Sequence, residues 1–177
     1  MAGRILSLTA PVDSASLLAL NAGDQVEISG EILVFRDQVH KILCELIEKG
    51  EELPVDIDGA MLYYCGPTPA RNGMPVGSAG PTTSSRMDAF TVPLLERGLK
   101  ATIGKGNRSD EVVEAMKRHG AVYFVAVGGT GAYLAKKITA SRVVAYPEFG
   151  PEAARIFTVD AMPLFVGVDS HGKSAFK

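Results

Sequence analysis

The sequence has no tryptophan, two cysteines and three histidines among 177 residues, and its 18 Lys and Arg nearly balance its 20 Asp and Glu. Each shortage excludes a class of function. Cys44 and Cys65 are too few for the thiolate set of an iron–sulfur cluster or the Cys/His pairs of a structural zinc site, so no self-contained metal site is expected. A formal net charge of −2 without a basic stripe speaks against a nucleic-acid backbone as partner. The longest apolar runs fall far short of a membrane span. The first ten residues carry one Arg and an apolar patch broken by Ser7 and Thr9, too weak for a secretory signal. Together with the scarce cysteine, this predicts a cytoplasmic protein.

What is present is the composition of an ordinary globular chain, 46% hydrophobic and 21% charged. This length holds a core without disulfide or metal staples, so residues 1–177 are expected to form one domain. Glycine and proline crowd the stretch from Gly66 to Pro81, which predicts a long, ordered and functional loop. Ahead of it, Val26, Ile28, Ile32 and Val34 alternate across Gly30, as in a strand pair or one bent strand. Val39, Ile42, Leu43, Leu46 and Ile47 recur at helical steps between Asp37 and Gly50. A second helix is predicted from Ser109 to Gly120, and a buried strand over Ala121–Val127. A glycine turn and short helix follow, then strands at Arg142–Tyr146, Ile156–Val159 and Leu164–Val168. The pattern is mixed α/β with more strand than helix.

Several local motifs invite chemistry. The GGTG turn at Gly128–Gly131 places glycines for a pyrophosphate approaching a helix start, but Leu134 stands at the third glycine position, and a tight strand-to-helix connection is the favoured reading. GLKATIGKG is no P-loop, since Gly98 to Gly104 is one residue too long and Gly106 replaces the Ser or Thr that would bind magnesium. Cys44 and Cys65 read as small core hydrophobes, His119 and His171 as structural or exposed. His40, one helical turn after Arg36, reads as a supporting residue. The segment Gly77–Asp88, GSAGPTTSSRMD, sets Thr82, Thr83, Ser84 and Ser85 before Arg86 and an apolar run. It reads equally as an anion site with free amides and hydroxyls or as a capped helix with a surface Arg.

These residues also carry a resemblance. LTAPVDSASLLALNAGDQVEISGEILVFRDQVHK, GPTPARNGMPVGSAGPTTSSRMD, KGN at Lys105–Asn107, GGTGAYLAKKI, VAYPEFGPEA and the VDSHG near the end are similar, in order, to the motifs of the β subunit of two-subunit class I fumarate hydratase. L-tartrate dehydratase β subunits share most of them. The resemblance implies a swivelling β/β/α domain with a mixed sheet flanked by helices, one half of a hydro-lyase interconverting fumarate and L-malate. It implies a separate α subunit, in an α2β2 heteromer, that holds a 4Fe-4S cluster through its own cysteines, with the active site between the two chains. By matching positions, Arg36, Arg86 and Lys105 would hold the carboxylates of a C4 dicarboxylate, and Thr82 would take part in proton transfer. His40, Thr83 and Asp88 would support them. The run RDQVHK keeps Arg36 and His40 of the family's RDxAHxR and departs from it at Val39. L-tartrate dehydratase is the neighbouring alternative, and a small nucleotide- or phosphate-binding α/β module the alternative from another class.

Overall fold

The computed structural model describes residues 5–71 and 73–176. The first four residues, part of the stretch read above as too weak for a secretory signal, lie outside the described residues. Among the described residues seven strands form a single mixed sheet: β1 (Ile5–Ala10), β2 (Gln25–Val34), β3 (Met61–Tyr63), β4 (Ala101–Gly104), β5 (Val122–Val125), β6 (Ile138–Ala145) and β7 (Ala154–Val168). The sheet runs β1-β2-β3-β4-β5-β7-β6, and β7 also pairs back with β2. Strands β2, β3, β4, β5 and β7 therefore close into a ring, with β1 and β6 attached outside it. Strands β1 to β5 are mutually parallel, whereas β7 runs antiparallel to β2, β5 and β6. The helices are α1 (Ser14–Leu18), α2 (Asp37–Lys49), α3 (Asp88–Glu96), α4 (Asp110–His119) and α5 (Gly131–Ala135). This is the mixed α/β architecture, a sheet flanked by helices, that the sequence predicts.

Strand alternation divides the core in two. Met61, Tyr63, Val122 and Phe124 face an inner cluster with Ile28, Ile32, Val34 and Phe157. Leu62, Tyr64 and Tyr123, one residue out of phase, face a second cluster with Val39 and Leu43 of α2, Leu94 and Leu95 of α3, and Val112 and Met116 of α4. Local signals set the helix ends. Gly50 and Gly120 close α2 and α4 in the left-handed conformation, at φ 70° and 61°, and the Ser109 hydroxyl accepts the Val112 amide at 3.3 Å to start α4.

Three expectations need adjusting. The alternation across Gly30 belongs to one bent strand: β2 runs unbroken, with Gly30 at φ 107° beside a register shift against β7. A Cβ there would collide with the Ala10 carbonyl of β1. The two strands expected at Ile156–Val159 and Leu164–Val168 are one, β7. Pro163 interrupts the pattern, but it falls between the stretch that pairs with β6 (through Val159) and the stretch that pairs with β5 (from Phe165), so the missing N–H breaks neither ladder. The strand placed at Arg142–Tyr146 begins earlier, at Ile138, and stops before Tyr146, whose φ of 56° takes the chain out of the sheet.

Candidate functional site

Parallel strands bring their C-terminal ends to one edge of the sheet. Past those ends the chain presents Arg36 after β2, Gly66 after β3, Lys105 after β4 and Gly128 after β5. These turns, with the Gly66–Pro81 loop, surround a cleft of about 520 Å³ lined by Arg36, Thr82, Thr83, Arg86 and Lys105, and by Ser78, Gly80, Gly129 and Gly131. Five of the seven residues singled out by sequence thus share one cavity. His40 and Asp88 lie outside its lining.

Hydrogen bonds hold the described part of the loop, residues 66–71 and 73–81. Thr68 pins it by accepting the Ser78 amide on Oγ1 at 2.6 Å and the Gly77 amide on its carbonyl at 2.9 Å, and Tyr63 donates its hydroxyl to the Ala79 carbonyl at 2.6 Å. The GGTG turn packs on this loop: Ala79 N donates to the Gly131 carbonyl at 3.1 Å, and a Cβ at Gly131 would collide with the Ser78 hydroxyl. The turn's glycine at 131 therefore serves this close approach.

Thr82 is buried, at 6% exposure, and its hydroxyl has no protein partner among the described residues. The segment that follows is not the expected α-helical start. Ser84–Met87 form a 3₁₀ turn whose N-cap Thr83 makes no side-chain cap, and α3 begins only at Asp88. Nor are all its amides free. Thr82 N donates to the Tyr64 carbonyl at 2.7 Å and Ser84 N to the Lys105 carbonyl at 2.9 Å, while Lys105 N donates to the Thr82 carbonyl at 3.3 Å. The segment behaves as a short strand extending β4's neighbourhood, bridged at Thr83 and Lys105.

The two arginines are held differently. Arg36 donates Nε to Glu152 Oε1 at 2.8 Å, which leaves its terminal nitrogens available, and its guanidinium lies where a side chain on Gly66 would sit, 2.7 Å from a Cβ there. Arg86 is more exposed, 54% at the side chain, and donates Nη2 to Asp37 at 2.6 Å. Lys105 makes no ion pair among the described residues.

Behind the cleft, His40 is fully buried between Phe35, Tyr64 and Phe90. Its Nδ1 donates to the Arg36 carbonyl at 2.9 Å, and its Nε2 is buried without a partner among the described residues. Burial pushes its pKa down to about 4, against the hydrogen bond to Arg36 that favours the charged ring. Asp88 accepts Arg108 Nε at 2.7 Å and the Ser109 amide at 2.8 Å. Arg108, which sequence reasoning missed, has a wholly buried side chain donating to Tyr64, Thr102 and Thr91 and lying over the Tyr64 and Tyr123 rings. Burial opposes its charge, but Tyr64 and Asp88 outweigh burial and hold its pKa above the usual value. Tyr123, also missed, receives a hydrogen bond from Ser84 Oγ at 2.8 Å and donates to the Gly106 carbonyl at 2.8 Å. The one sequence signal for both was proximity to KGN and to the strand before GGTG.

Neither cysteine suits ligation or nucleophilic attack. Burial raises the Cys44 thiol to about 11 and the Cys65 thiol to about 12, the latter despite Arg36 and Arg155 nearby. Cys65 sits in the inner core and Cys44 on α2 against the Phe90 carbonyl. Among the described residues no three Cys, His, Asp or Glu side chains converge to hold a metal, so the chain's own residues do not fit an iron–sulfur cluster. No helix among them is long and apolar enough to cross a membrane.

Known proteins resemble this chain along nearly its whole length. The chain is 40% identical over 166 residues to "Fumarate hydratase class I, anaerobic" of Escherichia coli strain K12, covering 92% of this chain and 30% of that protein. It is 36% identical over 176 residues to "Fumarate hydratase 2" of Leishmania major, covering 97% of this chain and 31% of that protein. It therefore spans about a third of the length of these enzymes. To the "Putative L(+)-tartrate dehydratase subunit beta" of Methanocaldococcus jannaschii it is 33% identical over 164 residues, covering 89% of this chain and 84% of that one. The family model described as "Fumarase C-terminus" matches residues 2–177, and the chain belongs to that family.

Proposed function

We propose that residues 1–177 act as one domain, the substrate-gripping part of a cytoplasmic hydro-lyase that interconverts fumarate and L-malate. The observation that carries this is the convergence of Arg36, Thr82, Thr83, Arg86 and Lys105 on one cleft, in a chain related along its length to fumarate hydratases. A C4 dicarboxylate brings two negative charges. The terminal nitrogens of Arg36, left open by Glu152, suit a bidentate carboxylate grip, and Lys105 and Arg86 suit the other end. Arg86 exchanges Asp37 for substrate at small cost, because exposed ion pairs contribute about 0–1 kcal/mol. The Thr82 hydroxyl, buried and uncommitted beside these cations, is the group that handles the proton on the carbon next to a carboxylate, with an acidic partner residue opposite. A threonine hydroxyl is a very weak acid, and the surrounding positive charge is what favours its ionised form.

The 4Fe-4S cluster is assigned to an α subunit in an α2β2 assembly, since Cys44 and Cys65 are protonated, buried and apart. This chain alone is expected to show no hydratase activity, and anaerobic reconstitution with a cysteine-bearing partner to restore it. Full activity of the lone chain would sink the shared-site reading.

A second reading, the β subunit of an L-tartrate dehydratase, is supported by the 33% identity over 164 residues to the putative tartrate dehydratase β subunit. Assaying the reconstituted enzyme with L-malate, fumarate and L-tartrate separates the two.

A further inference from the structure

Among the described residues the Lys105 ammonium has no ion-pair partner, so its position in the cleft is inherited from its backbone. That backbone is tied to the Thr82 segment by two hydrogen bonds, one of them long at 3.3 Å. The next residue, Gly106, is exposed and turns the chain at φ 78°, a conformation that by itself holds nothing in place. The Tyr123 hydroxyl spans this gap. A carbonyl can only accept, so Tyr123 donates to Gly106 and must accept from Ser84, giving a relay with one sense: Ser84 Oγ–H to Tyr123 O, Tyr123 O–H to Gly106 O. We infer that Tyr123 is a positioning residue of the cleft, its hydroxyl locking the Lys105 turn in register with the segment that carries Thr82.

Three further observations support this role. Tyr123 lies on the short strand β5 with a fully buried ring, and Arg108 stacks over it at 5.1 Å, so the hydroxyl is a rigid post. A Cβ at Gly104 would collide with the Ser84 hydroxyl and stand 2.9 Å from the Tyr64 ring, so the strand end beside the relay is left bare for it. Burial also pushes the phenol up to about 12, which keeps its donor proton in place at neutral pH.

The catalytic half of this inference rests on the hydro-lyase reading; the structural half does not, and the test separates them. In the complete chain, Tyr123→Phe keeps the ring packing and removes the relay. Amide hydrogen exchange at Ser84 and Lys105 should quicken by roughly 3- to 30-fold, the worth of one to two hydrogen bonds, while amides of α2 keep their protection. In the reconstituted enzyme the same variant should raise KM for the dicarboxylate and lower kcat, together by about 10²-fold in kcat/KM. Ser84→Ala should cost less and should add nothing in the Tyr123→Phe background, since the relay acts as a unit. Unchanged exchange at Ser84 and Lys105 overturns the inference. Faster exchange with wild-type kinetic constants overturns it as well, reducing Tyr123 to a local stabiliser. If the unmutated, reconstituted enzyme hydrates no dicarboxylate, the functional reading fails while the exchange arm still decides whether Tyr123 holds the turn.

Discussion

Two arginines in one cleft are prepared for different work. Arg36 is braced through Nε by Glu152 and through its carbonyl by His40, with Gly66 clearing space for its flat face. Arg86 is half exposed and latched to Asp37 alone. On the proposed function, Arg86 is the side chain that moves when substrate arrives. Lysine keeps its charge but cannot reproduce a planar fork, so Arg86→Lys should leave the thermal midpoint unchanged and lower kcat/KM in the assembled enzyme by roughly 10- to 10²-fold. Near-normal kinetics would remove Arg86 from the site. His40 carries a separate prediction. Its folded pKa of about 4 lies below the usual 6.5, so between these values the unfolded chain binds the extra proton. Stability is therefore retained above about pH 6.5 and falls as pH drops toward 4, by about 3 kcal/mol from this residue. Thermal melts across that window should show the slope, and His40→Asn, which can still donate to the Arg36 carbonyl, should flatten it. An equally steep slope in the variant would assign the effect to other groups.

Among the elements, β2 shows how local chemistry and tertiary contact share the outcome. Its alternation was legible from Val26 to Val34, but whether Gly30 marked a turn or a bend depended on β1 and β7, both distant in sequence. Gly30→Ala should destabilise the fold by about 2–4 kcal/mol, because the new Cβ meets the Ala10 backbone and the φ of 107° disfavours an L side chain. A denaturant midpoint close to wild type would mean that β1 can shift without loss. Helices α2 and α4 were legible because amphipathic spacing and glycine stops are local. The unity of β7 was not, since a proline in a strand is judged by which edge is empty, and that edge is defined by β5 and β6. The site divides the same way. Its cations and Thr82 could be named from motifs, while Arg108 and Tyr123 could not: burial of a polar side chain is decided by neighbours on other elements, and an Arg in a string of residues looks the same wet or dry.

At the scale of the molecule, the parallel run of β1 to β5 gathers motif residues spread from Arg36 to Gly131 at one edge, and β7 closes the ring that fixes their spacing. That closing strand has a kinetic consequence. Gln25 of β2 pairs with Phe165 of β7, a separation of 165 − 25 = 140 residues, and the pairing continues to Val34 and Arg155. Until β7 arrives, β2 has one open edge and the inner core lacks Phe157, Met162, Leu164 and Val166. Contacts this distant make folding slow, and the open edge in the interim is a template for pairing with another chain. During synthesis, β2 is thus an unguarded strand for most of the time the ribosome needs to make this domain.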